Sequence, residues 1–279
     1  MNKKVISTVL GAILVVGLIS GCGAKKDDTK TVASSSQVEK EVTLTVGASA
    51  VPHAEILNFV KPLLKAQGIK LEIKTLDDDA QLNPALDEKQ IDANYFQHVP
   101  YLDSVTKEKG YKFTVAGKVH VEPVGFYSQK IKTIDELKSG AKIAISNDPS
   151  NEYRALELLQ AKGLIKLKAS ISNYNATLSD IAENPKNFRF IEVERSLLPR
   201  SLPDVDGAIV STNTILEAKI DPKSAIFRED ANSPYANIIV VRKGDETRPE
   251  IKKLIAILNS ADVKKFIEDK YGVAVVPAF

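Results

Sequence analysis

The chain has 279 residues, 43% hydrophobic and 27% charged, with a single Cys, three His and no Trp. One Cys excludes internal disulfides, Cys-built zinc fingers and iron–sulfur ligation by this chain alone, and any metal site would need most of the three His. Lys and Arg number 38 against 36 Asp and Glu, and the surplus is Lys3 and Lys4, so the net charge of +2 gives no argument for nucleic acid.

Residues 1–21 combine that basic start with an apolar run from Val5 to Ile19 and small residues before Cys22, the pattern of a secretory signal peptide. The run is shorter than the ~20 residues a membrane-spanning helix needs. Ile19-Ser20-Gly21-Cys22 resembles the bacterial lipobox, whose Cys becomes the lipidated first residue, and the one Cys of the chain stands at that place. The Lys-, Asp-, Ser- and Thr-rich stretch over 22–41 has no apolar periodicity and predicts a flexible tether. The expected location is a membrane, lipid-anchored and facing outward from the cytoplasm.

Beyond the tether, Val42–Ala48 alternates as a strand, and Pro52 opens a helix carrying Ile56, Leu57, Val60, Leu63 and Leu64, with Pro62 expected to kink or end it. Ile69–Lys74 closes a βαβ unit. Further strands are predicted at Ile91–Tyr95, Lys112–Ala116, Val119–Ser128, Lys142–Ser146, Phe188–Val193, Gly207–Val210 and Ile238–Arg242. Helices fit Tyr101–Lys109, Thr133–Lys138 (with a Thr133/Glu136 capping box), Asn151–Lys162, Ser211–Ala218, Pro249–Asn259 and Asp262–Lys270. The alternation predicts an α/β fold with mostly parallel sheets and ligands at the C-terminal strand ends.

Enzyme signatures are missing: no G-x-S-x-G, P-loop, G-x-G-x-x-G after a strand or H-E-x-x-H occurs. His53, His98 and His120, with Glu122, leave a metal-ion receptor as the alternative, although scattered His more often pack or hydrogen-bond. In Asn147–Arg154, Asp148-Pro149 begins a helix whose free backbone N–H groups suit an anion. Arg154 follows one turn on with a fork suited to a carboxylate. Spacing equally allows a surface Arg paired with Glu152 or Glu157, worth about 0–1 kcal/mol. The rings of Tyr95, Phe96, His98 and Tyr101 suit either an ordinary core or a wall for an apolar side chain, a thioether included. Asn237, after Ser233-Pro234-Tyr235, either reaches a cleft or closes a turn.

Together these stretches resemble the methionine-binding lipoprotein family (MetQ/NlpA type), the substrate-capturing components of methionine ABC importers. The likeness runs from Val42 to the C-terminus through Val51–Leu57, Ile91–His98 with Pro100–Leu102, and Glu122-Pro123 before Tyr127-Ser128. It continues through Asn147–Pro149 leading to Arg154, Glu183–Lys186 and Pro234–Asn237. The resemblance implies a two-lobed periplasmic-binding-protein fold (type II-like) with a ligand cleft, lobe 1 being 42–123 plus 231–279 and lobe 2 being 124–230. It implies no catalysis, no cofactor, no metal and no nucleic acid, but an ABC permease and ATPase as partners of a lipid-anchored monomer. Arg154 would hold an amino acid's carboxylate and Asn237 its polar end, while Phe96, His98 and Tyr101 would line the side-chain pocket. Two positions depart from the pattern: Asp79 stands where the family has Tyr, and Ser211 where it has Asn. The expected cargo is therefore methionine, a related amino acid carrying an extra donor or positive group, or a methionine-containing peptide.

Overall fold

The computed structural model describes residues 41–76, 78–169, 174, 176–230 and 233–279. The signal segment, Cys22, nearly all of the tether and Asp77 lie outside the described residues.

The predicted βαβ unit is present as β1 (Val42–Ala48), α1 (Glu55–Lys65) and β2 (Ile69–Thr75), with Val42 opposite Ile69 in parallel register. Ile56, Leu57, Val60 and Leu64 recur on one face of α1 and are fully buried. Pro62 takes out one helical N–H, and α1 ends three residues later. Next come α2 (Leu82–Asp87), β3 (Ala93–His98), α3 (Val99–Lys109), β4 (Phe113–Val121) and β5 (Gly125–Tyr127). β6 (Lys142–Ser146) leads into α4 (Pro149–Ala161), and β7 (Lys166–Leu167) pairs with β8 (Ile181–Glu183). β9 (Arg189–Val193), α5 (Leu198–Ser201), β10 (Gly207–Val210) and α6 (Thr212–Glu217) follow. The last elements are β11 (Phe227–Arg228), β12 (Ala236–Arg242), α7 (Pro249–Leu258), α8 (Ala261–Tyr271) and β13 (Val276–Pro277).

Two larger sheets result, ordered β13-β4-β12-β3-β1-β2 and β11-β5-β10-β6-β9. They are mixed rather than mostly parallel: β12 is antiparallel to both β3 and β4, and β5 to β10 and β11. The chain passes from one sheet to the other at Glu122–Val124 and returns after β11, so β12 leaves the cleft where β3 and β4 arrive at it. That crossing also corrects the strand predictions. Lys112–Ala116 and the first part of Val119–Ser128 are the single strand β4, whereas Gly125–Tyr127 belongs to the other sheet. Thr133–Lys138 forms only one turn of 3-10 helix at Ile134–Glu136; the Thr133 side chain receives no backbone N–H, and its hydroxyl instead donates to Glu136 Oε1 at 3.2 Å.

Both sheets are covered on two faces. Along β12, Ile239 and Val241 pack with α1, α7 and α8, while Ile238 and Val240 pack with α2 and α3. In the second sheet Ile143 and Ile145 meet Leu156 and Leu159 of α4, and Ala208 and Val210 meet Leu198 and Ile215. Packing here tolerates no added carbon: a Cβ on Gly207 would stand 2.0 Å from the Phe126 ring. Gly207→Ala is expected to cost about 2–3 kcal/mol of stability, read from the midpoint of urea unfolding. An unchanged midpoint would contradict the close approach of β10 to the Phe126 ring. Among the described residues no helix is long and apolar enough to cross a membrane.

Candidate functional site: a cleft between two sheets

The strand ends of the two sheets converge where the chain crosses. The crossing segments are themselves paired, Glu229 N–H donating to the Val124 carbonyl at 2.9 Å. Antiparallel register sets His98 of β3 opposite Asn237 of β12, and Asn237 opposite His120 of β4, so three polar side chains share one row. From the other sheet, β6 delivers α4 with Asn151 and Arg154, β10 delivers Ser211 and Asn213, and β9 delivers Arg195.

These groups surround a small cavity, with about 410 Å³ of empty space when the open solvent at its mouth is included. Phe96, His98 and Tyr101 form an aromatic wall. Ser211, Asn213, Asn237 and Arg154 line it as well, completed by Gln97, Glu122, Asn151 and Arg195. Arg154 is only 3% exposed, and it does not pair with Glu152 or Glu157. Its Nε donates to Glu229 Oε2 at 3.1 Å, its Nη2 donates to the Glu122 carbonyl at 2.9 Å, and its Cζ lies 4.2 Å from the centre of the Tyr235 ring. Both crossing segments are thus held by one guanidinium, while no hydrogen bond among the described residues uses its Nη1.

The open anion site expected at the start of α4 is not there, because Asp148 caps its own helix. Its Oδ1 accepts from the Asn151 N–H at 3.0 Å and from Ser150 Oγ at 2.9 Å. Asn151 Nδ2 also donates to Asp148 Oδ2, which turns Asn151 Oδ1 toward His98 Nε2 at 3.2 Å. His98 Nδ1 accepts from the Tyr101 N–H, so the neutral ring carries its proton on Nε2 and bridges the two sheets. Burial, with the nearby Arg154 charge, lowers its pKa to about 4.

Beneath the cavity runs a buried chain of hydrogen bonds. The Tyr95 hydroxyl donates to His120 Nδ1, and His120 Nε2 donates to Glu122 Oε1 at 2.7 Å. Glu122 Oε2 accepts from the Asn213 N–H at 2.9 Å. His53 Nε2 faces two oxygens, Asn237 Oδ1 at 3.0 Å and Glu122 Oε1 at 3.3 Å, and therefore carries the proton. Burial holds the His53 pKa down to about 4. Burial alone would raise Glu122, but the two imidazoles and the Asn213 amide outweigh it and hold the carboxyl at about 2. With Oδ1 of Asn237 taken by His53, and Oδ1 of Asn213 taken by Ser211 Oγ at 2.7 Å, each amide keeps its NH2 group for the cavity. His53, His120 and Glu122 bring ligand-type atoms within 4.8 Å of one another, but His98 is not part of that group.

Six of the residues singled out from sequence therefore line one cavity: Phe96, His98, Tyr101, Arg154, Ser211 and Asn237. Asp79 does not. It lines a neighbouring cavity, accepting from Ser49 Oγ at 2.7 Å and from Arg195 Nη2 at 2.8 Å. The carboxylate is thus answered within the chain, and nothing about it calls for a positive group on the ligand. Asn151 was legible in principle, since it stands three residues before Arg154 on the same helix. Gln97 belongs to an amide network with Asn83 and Asn94 that carries no sequence signature.

The family model described as NlpA lipoprotein matches residues 44–279. The methionine-binding lipoprotein MetQ of Bacillus subtilis is 40% identical over 275 residues, covering 96% of this chain and 97% of that one. A nutrient binding protein from Burkholderia cenocepacia, solved bound to methionine, superposes with a TM-score of 0.82 at 44% identity, covering 85% of this chain and 100% of that one. A periplasmic substrate-binding protein of an ABC transporter from Coxiella burnetii superposes at 0.81 with 41% identity, covering 84% and 100%. The architecture is the two-lobed α/β fold of periplasmic substrate-binding proteins.

Proposed function

The chain belongs to the NlpA lipoprotein family, and we propose that it is the receptor of an ABC importer, capturing methionine or a close relative in the cleft. The protein is a substrate-binding lipoprotein and not an enzyme. One observation carries the reading: a single cavity joins a buried guanidinium, two amide donors and an aromatic wall. Arg154 holds the ligand carboxylate through Nη1, with the NH2 groups of Asn237 and Asn213 as further donors. Ser211 lines this polar end with a single hydroxyl. Phe96, His98 and Tyr101 take the side chain, where ring edges favour a thioether sulfur.

Closure follows from the placement of these groups on both lobes, which we take as 42–123 with 231–279, and 124–230. A ligand that touches both stabilises the closed arrangement, the form that the permease recognises before its ATPase drives import. Cys22 carries the lipid, residues 23–41 form the leash, and the receptor works as a monomer outside the cytoplasmic membrane.

A metal receptor is the weaker reading. His53 and His120 are fully buried and the Nε2 of each already faces Glu122 Oε1, so a cation would have to displace protons from a settled hydrogen-bond chain. The test is calorimetric. Residues 23–279 are unfolded to strip bound ligand, refolded and titrated with single amino acids. Saturable heat with methionine at micromolar affinity or tighter, about −8 kcal/mol, is the expected result. Absence of saturation with every amino acid and short peptide would overturn the receptor reading, and stoichiometric zinc or manganese in the purified protein would favour the metal one.

A further inference from the structure

The cleft holds two cavities, and one residue borders both. The first is the cavity just described; the second, with about 1270 Å³ of empty space once the solvent at its open side is included, lies between the segments that follow β2 and β9. Arg195 is common to the two. Its Nη2 reaches Asp79 Oδ2 at 2.8 Å, and Asp79 is steadied from its own sheet by Ser49 Oγ at 2.7 Å. Asp79 follows β2 of the six-stranded sheet and Arg195 follows β9 of the five-stranded sheet, so the ion pair spans the cleft.

Arg195 shares the first cavity with Tyr101, Phe96 and His98. Arg154 is held by a different set of partners, the Glu122 carbonyl, the Glu229 carboxylate and the Tyr235 ring, where the chain crosses between sheets. The cavity is thus closed by two separate cations, Arg154 at the crossing segments and Arg195 on Asp79. We propose that the Arg195–Asp79 pair is the end wall of the amino-acid pocket and sets the longest side chain that the closed receptor accepts. This rests on the amino-acid receptor reading above.

The physical case is one of exclusion. Beyond the wall there is ample room, so length is limited by the ion pair and not by packed core. A side chain several atoms longer than methionine's must push the guanidinium off its carboxylate, leaving two partly buried charges unpaired. Each half of the wall comes from a different sheet, so discrimination by length exists only when the cleft is closed. Asp79 is one of the two positions where the sequence departs from the family resemblance, and Arg195 is the partner that gives the departure a role.

The experiment compares methionine with buthionine, which carries three more carbons on sulfur, both of the same configuration, by calorimetry. The wild-type protein is expected to prefer methionine by about 100-fold, in the range that pocket size enforces. Arg195→Ala should shrink that preference to about tenfold or less, chiefly by admitting buthionine. Asp79→Ala should move it in the same direction, because Arg195 can then swing out; it carries the comparison if Arg195→Ala does not fold. A preference unchanged in the folded variants, or wild-type protein that binds buthionine as tightly as methionine, would overturn the wall. Wild-type protein that binds no amino acid would overturn the receptor reading itself, and the wall with it.

Discussion

Replacing Arg154 by Ala should abolish methionine binding at micromolar concentration, raising Kd by about 100-fold or more. Loss of a charge-assisted hydrogen bond to a carboxylate accounts for about 1.5–3 kcal/mol, or roughly one to two powers of ten. Arg154 does a second job as well. It ties the Glu122 carbonyl and the Glu229 carboxylate together where the chain crosses between sheets, and it stacks on Tyr235. Its removal leaves Glu229 facing a site without a cation, and ligand-free stability should fall by about 3 kcal/mol. The two effects separate in a companion variant. Glu229→Gln keeps the guanidinium for the ligand but weakens the tie between crossing segments, so it should lower stability while costing less than about tenfold in affinity. Calorimetry and urea unfolding on the same preparations read both quantities. Arg154→Ala binding methionine like the wild type would move the carboxylate site elsewhere in the cleft.

What the sequence made legible was what repeats locally. α1 could be read because Ile56, Leu57, Val60 and Leu64 return at the helical period, and β12 because its Val/Ile run is buried on both faces. The aromatic wall was visible because Phe96, His98 and Tyr101 lie within six positions of one another on a strand end and the helix that His98 caps. Relations between distant segments were not. Arg154 was readable as a cation near a helix start, but its partner Glu229 is 75 residues away, and no spacing rule distinguishes it from the neighbouring Glu152 and Glu157. Arg195 and Asp79 are 116 residues apart and meet only because two sheets end at the same cleft. The family resemblance marked Asp79 as a departure without saying what answers its charge. Parallel or antiparallel pairing was likewise hidden, since periodicity reports burial and not strand direction; only the double crossing makes β12 run against β3 and β4.

Acid should destabilise the ligand-free protein well before its carboxylates protonate. His53 and His98 are buried as neutral rings with pKa values lowered from 6.5 to about 4. In an unfolded chain each takes a proton near pH 6.5, so between pH 6.5 and 4 the unfolded state holds more protons and stability rises with pH. The contribution is fully present above pH 6.5 and lost as pH falls through 4, about 3 kcal/mol for each ring. Glu122 extends the loss to lower pH: its carboxyl, lowered from 4.5 to about 2, stabilises the fold above pH 4.5 and ceases to as pH falls through 2. Glu217 runs the other way. Partial burial and the Asp79 charge raise it to about 7, which favours the fold toward acid between pH 7 and 4.5, but much of the residue stays in contact with water, which screens its contribution. The two imidazoles therefore dominate, and against a typical total of about 5–15 kcal/mol their loss suffices to bring unfolding close to pH 4. Urea midpoints taken from pH 7.5 down to 4 should fall throughout the interval below 6.5. His53→Gln, which keeps an N–H for Asn237 Oδ1 but cannot titrate, should remove about half of that slope while leaving the His98 part. A flat profile from pH 7 to 4.5, or a slope untouched by His53→Gln, would mean that these rings already carry protons in the native state. The donor assignments that turn the Asn237 amide toward the ligand would then fall with them.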